Sequence, residues 1–153
     1  MSIFQGLHAS ASALTTQRLR MDVISSNMAN VDTTRAKMVD GEWQPYRRKS
    51  VSLQPQGQEF SSFLGVAMGK TSINTAGQGV RVSKIQEDTN TPFKPVFDPE
   101  HPDADDEGYV YMPNVDPLRE MVDLMSATRS FEANVTVLNA NKSMLMKALE
   151  IGK

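Results

Sequence analysis

Three stretches of this 153-residue chain carry residue types that could do chemistry. "GVAMGKT" at 65–71 ends in the Gly-Lys-Thr of a phosphate-binding loop, where backbone N–H groups would cradle phosphate and the lysine would reach its oxygens. The spacing fails, because that loop needs four residues between its glycines and Gly65 and Gly69 enclose only Val66, Ala67 and Met68. A plain loop is the better expectation. "DADDEG" at 103–108 puts Asp103, Asp105 and Glu107 at the first, third and fifth positions of a calcium loop, with Gly108 at the sharp turn. Its twelfth position is Asn114, where calcium needs a bidentate Glu, so a solvated acidic loop is expected instead. His8 and His101 lie far apart without a second ligand at useful spacing, and no nucleophile elbow surrounds any serine. No catalytic residue, metal site or cofactor is expected.

Composition narrows the partners. A net charge of −2 leaves no basic excess for nucleic acid or an anionic membrane. The absence of cysteine removes disulfides, thiolate metal sites and cysteine nucleophiles together. No apolar run approaches the roughly 20 residues a membrane span needs, and "MSIFQGLHASASALTTQRLRM" lacks the basic leader of a signal peptide. The expectation is a chain that does not span a membrane and that leaves the cytoplasm, if it leaves, without a cleaved signal. No small-molecule substrate is expected either.

The positive signal lies in the elements at the two ends. Leu7, Leu14, Met21 and Met28 recur every seven residues, flanked one turn earlier by Phe4, Ala11, Arg18 and Ser25, which reads as a helical seam closing near Asn30. At the other end Asp116 is placed to cap a helix with Pro117 at its first position, and no Gly or Pro interrupts residues 118–151. That helix carries the seam Met121, Leu124, Thr128, Phe131, Val135, Leu138, Lys142, Leu145, Leu149. Between the helices, "SVSL", "GVRVS" and "GYVYM" alternate like short strands, and the region holds Trp43, Tyr46, Phe60, Phe63, Phe93 and Phe97 as a candidate core. Six of the eight prolines lie between 92 and 117, so that part should be extended and irregular.

The fold class is therefore mainly α with a small β-containing middle region, the long terminal helices pairing antiparallel as a coiled coil. The expected domains are 1–34 and 116–153 as the two helices of an assembly domain, and 35–115 as a small strand-containing middle domain. Antiparallel pairing of the sevenfold series would set Leu7 near Leu145, Leu14 near Leu138, Met21 near Phe131 and Met28 near Leu124. Arg18 and Lys142 should then lean outward to keep their charges wet.

Positions flanking the C-terminal seam include Ala127, Asn134, Asn139, Asn141 and Ala148, where an isolated two-helix coil prefers Glu and Lys. Small neutral residues on several faces let other helices approach, which favours burial in a polymer. The rival is a coiled-coil binding module with a single partner, which would stop at a defined complex.

"SSNMANVDTTRAK" near the start and "MVDLMSATRSFEANVTVLNANKSMLMKALEIGK" at the end resemble the paired terminal motifs of the bacterial flagellar rod, hook and hook-associated axial proteins. The stretch "PFKPVFDPEHPDADDEGYVYMPNVDPLREM" looks like the proximal rod members of that family. The resemblance implies a structural, non-enzymatic subunit of the flagellar basal-body rod. It further implies export unfolded by the flagellar type III apparatus and assembly outside the inner membrane. The implied partners are copies of itself, other flagellar rod proteins and the export gate at the base of the basal body. In that family the terminal helices make most contacts between subunits and the middle forms an outer domain. Asn27 and Asn30 match the N-terminal motif, and Phe131, Glu132, Ala133 and Asn134 the C-terminal one. Thr34-Arg35 departs from the Pro-Gly turn of many relatives. The candidate assembly surface is thus Leu7, Leu14, Met21, Asn27, Met28 and Asn30 on the first helix, with Met121, Leu124, Phe131, Asn134, Val135, Leu138, Asn141, Leu145 and Leu149 on the second.

Overall fold

A computed structural model describes residues 3–56, 64, 67–69 and 79–151. Helix α1 runs Ile3–Ala29, and helix α2 runs Pro117–Ile151. Six strands lie between them: β1 Lys37–Val39, β2 Glu42–Gln44, β3 Lys49–Pro55, β4 Val80–Glu87, β5 Lys94–Phe97 and β6 Tyr109–Met112. They pair as three two-stranded sheets, β1 with β2, β3 with β4 and β5 with β6. The phosphate-loop spacing falls partly on residues 65, 66, 70 and 71, outside the described residues, as do Phe60 and Phe63.

The helix limits follow from local chemistry. The Asp116 carboxylate accepts a hydrogen bond from the Leu118 N–H at 3.1 Å and its carbonyl accepts one from Glu120 N–H at 3.0 Å, which is the cap that Asp-Pro promised. At the far end of α1, Asn30 Nδ2 donates to Ser26 O at 2.8 Å and Thr33 Oγ1 donates to Asn30 Oδ1 at 3.2 Å, so side chains take over where the helical ladder stops.

The strand expectations at "SVSL", "GVRVS" and "GYVYM" correspond to β3, β4 and β6. The hairpin β1–β2 turns on Asp40 and Gly41, both with positive φ, the two-residue primed turn that Asp-Gly favours and that twists with its strands. The proline-rich stretch is extended as expected but not irregular: β5 contains Pro95 and pairs antiparallel with β6. Proline is tolerated there because each strand of a two-stranded ribbon has a free edge.

The chain forms two compact units. The first comprises Met1–Leu19, Ser52–Lys84 and Ala127–Lys153; the second comprises Arg20–Val51 and Ile85–Ser126. In the first, Ser12 Oγ accepts from Val80 N–H at 3.0 Å, and a Cβ on Gly79 would stand 2.9 Å from Ser12 Cβ, so only glycine lets the strand start this close to α1. In the second, Val23, Ile24, Tyr46, Val110 and Val115 are buried. Of the described aromatics expected in the core, Tyr46 is buried and Phe93 half-buried, but Trp43 and Phe97 are not. Trp43 is 52% exposed and Phe97 64%, because alternation along β6 turns Val110 inward and Tyr109 and Tyr111 outward, and Met38 pairs with Trp43 on an exposed ribbon.

Candidate assembly surface

The second unit is organised by polar residues that apolar counting passes over. Asn27 is wholly buried on α1. Its Nδ2 donates to Lys49 O at 2.9 Å and to Glu120 Oε2 at 3.0 Å, and its Oδ1 accepts from Tyr46 O–H at 3.0 Å and Lys49 N–H at 2.9 Å. All four hydrogen-bonding capacities of the amide are filled by its own chain. Glu120, 0% exposed, receives Arg48 Nε on its other oxygen at 2.6 Å. Arg48 reaches on to Asp123 at 3.4 Å, and Arg20 meets the same carboxylate at 3.5 Å. A carboxylate removed from water is stable only when paired and hydrogen-bonded, and Glu120 is both.

A second amide extends the arrangement. Buried Asn114 accepts from Arg48 N–H at 2.7 Å and donates to Asp88 O at 3.0 Å and Thr91 O at 3.1 Å. The segment Tyr46–Lys49 is thereby held on one side by Asn27 and Glu120 and on the other by Asn114. Asp88 in turn accepts from Thr91 through side chain and backbone, which holds its carboxyl below the ordinary carboxylate value.

The acidic loop is committed to a tether. Asp103 accepts from Thr34 Oγ1 at 2.7 Å and pairs with Arg35, and these two contacts, Thr34 first, hold its carboxyl below its ordinary value. Thr34-Arg35, the pair that departs from Pro-Gly, is thus what fastens this loop. Among the described residues no group of three or more acidic or His side chains is arranged to hold a metal ion. None of the helices there is long and apolar enough to cross a membrane.

The helix faces can be compared with the sequence seam position by position. On α2 the buried or half-buried positions are Glu120, Asp123, Leu124, Ala127, Thr128, Ser130, Phe131, Asn134, Val135, Leu138, Asn141 and Leu145, which include Leu124, Thr128, Phe131, Val135, Leu138 and Leu145 of the sequence seam. Leu124, Phe131, Leu138 and Leu145 form one half-buried line, with Thr128 and Val135 half-buried beside them. The companion line is Glu120, Ala127, Asn134 and Asn141. Met121, 49% exposed, and Leu149, 75% exposed, point outward, as does Lys142. On α1, Leu7, Leu14, Met21 and Met28 are half-buried, while the flank Phe4, Ala11, Arg18 and Ser25 is exposed. The most buried positions are Ser10, Thr16, Val23, Ile24 and Asn27, and Asn30 is half-buried at the helix end.

In the second unit Asn27 bonds Glu120, and in the first Gly6 lies against Asn141.

The family model described as flagella basal body rod protein matches residues 7–37, and that described as flagellar basal body rod FlgEFG protein C-terminal matches residues 106–151. Over its full length the chain is 65% identical to the flagellar basal-body rod protein FlgC of Bacillus subtilis, with all of both chains aligned. It is 44% identical to the protein of that name from Borreliella burgdorferi, over 99% of this chain and 98% of that one. Against the one from Escherichia coli O157:H7 the identity is 42%, with both chains aligned throughout.

Proposed function

The chain belongs to the FlgC family of flagellar basal-body rod proteins and is a structural subunit rather than an enzyme; from that premise we propose that it polymerises through the outward faces of its terminal helices. In this reading α1 and α2 run antiparallel as a coiled-coil pair, and residues 35–115 form a small outer domain. Support for the antiparallel sense comes from the second unit, where Asn27 meets Glu120 and Arg20 meets Asp123.

The observation that carries the proposal is the exposed face of α2. Leu118, Met121, Val122 and Met125 recur at helical spacing and all stand exposed, and Val137, Met144, Met146, Leu149 and Ile151 are exposed further along. A soluble monomer gains nothing from that much apolar surface, whereas a rod buries it between neighbours. The inward residues Leu124, Phe131, Leu138 and Leu145, with Asn134, Val135 and Asn141, brace the pair on which those contacts rest. Leu7, Leu14, Met21 and Met28 sit at the margin between pair and neighbours. Other copies of the chain and other rod proteins are the partners, in the basal body outside the inner membrane, reached through the flagellar type III export apparatus and seated at the export gate.

Replacing Met121 and Met125 with Asp separates assembly from folding, since both side chains are already in solvent. The purified double variant should keep its helix content, while cells carrying it as their only copy should not swim and their basal bodies should lack rods. Swimming cells whose basal bodies contain the variant would overturn the assembly role of this face.

A further inference from the structure

Charge is segregated in the second unit. It holds eight Lys and Arg against fifteen Asp and Glu, yet four of the eight, Arg35, Lys37, Arg47 and Lys49, line one cavity of about 560 Å³ whose only acidic lining residue among the described residues is Glu87. Arg35 is neutralised by Asp103. Two of the other three are held by aromatic rings instead of carboxylates: the Arg47 guanidinium lies 4.5 Å from the Phe93 ring centroid and Lys49 Nζ lies 5.5 Å from that of Tyr46. A ring face positions a cation without cancelling its charge, so these groups are oriented but still electropositive. Lys37 stands exposed at the rim on β1.

The opposite charge is gathered on the loop before β6. Asp105, Asp106 and Glu107 are consecutive and exposed, and none lines the cavity of its own chain. Their backbone is shaped by a tight turn: Asp105 N–H donates to Tyr109 O at 2.9 Å, Gly108 N–H donates to Asp105 O at 2.8 Å, and Gly108 has φ +80°. The tether from Asp103 to Thr34 and Arg35 fixes where the loop leaves the unit.

We propose that the cavity lined by Lys37, Arg47 and Lys49 receives the acidic tip Asp105–Glu107 of a second copy of this chain. The match is one of charge, three carboxylates against three cations, two of them held by ring faces that leave their charge in place. Complementary patches of this kind set orientation and register between subunits more than they add affinity. A contact using two different patches is heterologous and can repeat without closing, as a rod requires. The inference rests on the rod reading but concerns the middle region, not the helices.

The chain has no cysteine, so introduced thiols report cleanly. Lys37→Cys and Asp106→Cys are made as separate single variants, co-expressed in motile cells lacking other copies, and treated with a short bismaleimide after basal bodies are isolated. A covalent dimer that forms only when both variants are present is the expected result. If both variants are in the basal bodies and no dimer forms, or if the Asp106→Cys variant couples only to a different protein, the inference is overturned while the rod reading stands. Absence of both variants from the basal bodies of swimming cells overturns the rod reading and the inference with it. As a second arm, K37E/K49E and D106K/E107K should each reduce swimming, and the four changes combined in one chain should restore it. Failure of the combination to recover above either pair also counts against the docking.

Discussion

The two parts of α2 solve the same problem in opposite ways. Pro117–Ser126, in the second unit, is capped by Asp116 and anchored by Glu120 and Asp123 to Arg48, Asn27 and Arg20. Further along, in the first unit, Asn134 and Thr136 turn their hydrogen bonds back onto the helix's own carbonyls at Ser130 and Glu132, and apolar side chains stand in solvent. Both stretches expose apolar side chains, Leu118, Met121, Val122 and Met125 in the first and Val137, Met144, Met146, Leu149 and Ile151 in the second, but the first is also fastened within the chain by its buried polar network. The lesson is that polar residues define the subunit here and apolar ones address its neighbours, the reverse of the usual arrangement in a small globular domain.

That contrast is most severely broken at Glu120. Glu120→Ala removes the nearer of Arg48's two carboxylates and half of the Asn27 donor capacity in a dry site, and removing one member of a buried ion pair costs about 3–5 kcal/mol. Urea unfolding of the purified chain should show a loss of that size, and a loss no larger than that of an exposed substitution would mean that the network does not anchor α2. Gly79→Ala comes next, since the added methyl meets Ser12 and α1 must give way; overpacking of this kind costs about 1–3 kcal/mol, again read by urea midpoint.

A smaller effect attends Asp103. Its carboxyl titrates below the ordinary 3.8 in the folded chain, so its contribution is full above that value and fades as pH falls through the lowered one. Asp103→Asn should therefore flatten the acid limb of a stability-versus-pH curve and leave the slope near neutrality untouched; an unchanged acid limb would show that the Thr34–Arg35 tether contributes nothing. The smallest effect is expected at the solvent-facing end of the comparison. Leu149→Ser should move the stability of the isolated protein by no more than about 0.5 kcal/mol, as exposed sites do, while impairing rod formation in cells. A large stability loss would show Leu149 to be already packed within its own chain.

The element limits were legible because they rest on neighbours in sequence. Asp116-Pro117 announces its helix, "SSNMANVDTT" ends the other, and period-two alternation marks β3, β4 and β6. Asp40-Gly41 carried an equally local signal for β1–β2, overshadowed by the aromatics around it. What stayed illegible is where the C-terminal seam begins. A seam drawn from apolar residues puts Met121 inside and Glu120 outside, and the structure has them the other way round, because Arg48 lies 72 residues away in sequence and nothing in helical periodicity points to it. Asn134 and Asn141 were legible as unusual and as candidates for contact, but not as members of the half-buried line. Trp43 and Phe97 misled for a related reason: their size argued for burial, while the two-residue period of β6 had already assigned its inward place to Val110.

The Asn27–Glu120 bond also says something about time. It joins residues 93 apart, and closing a loop of that length carries a length-dependent entropic cost of about 4 kcal/mol before any contact rewards it. The amide on α1 can find Tyr46 and Lys49 early, but its carboxylate partner arrives only with the last third of the polypeptide. A chain delivered from its N-terminus thus remains open-ended until most of it has emerged, and then closes in a late, cooperative step, as distant pairings do. The same amide therefore completes the subunit only once its distant partner is present.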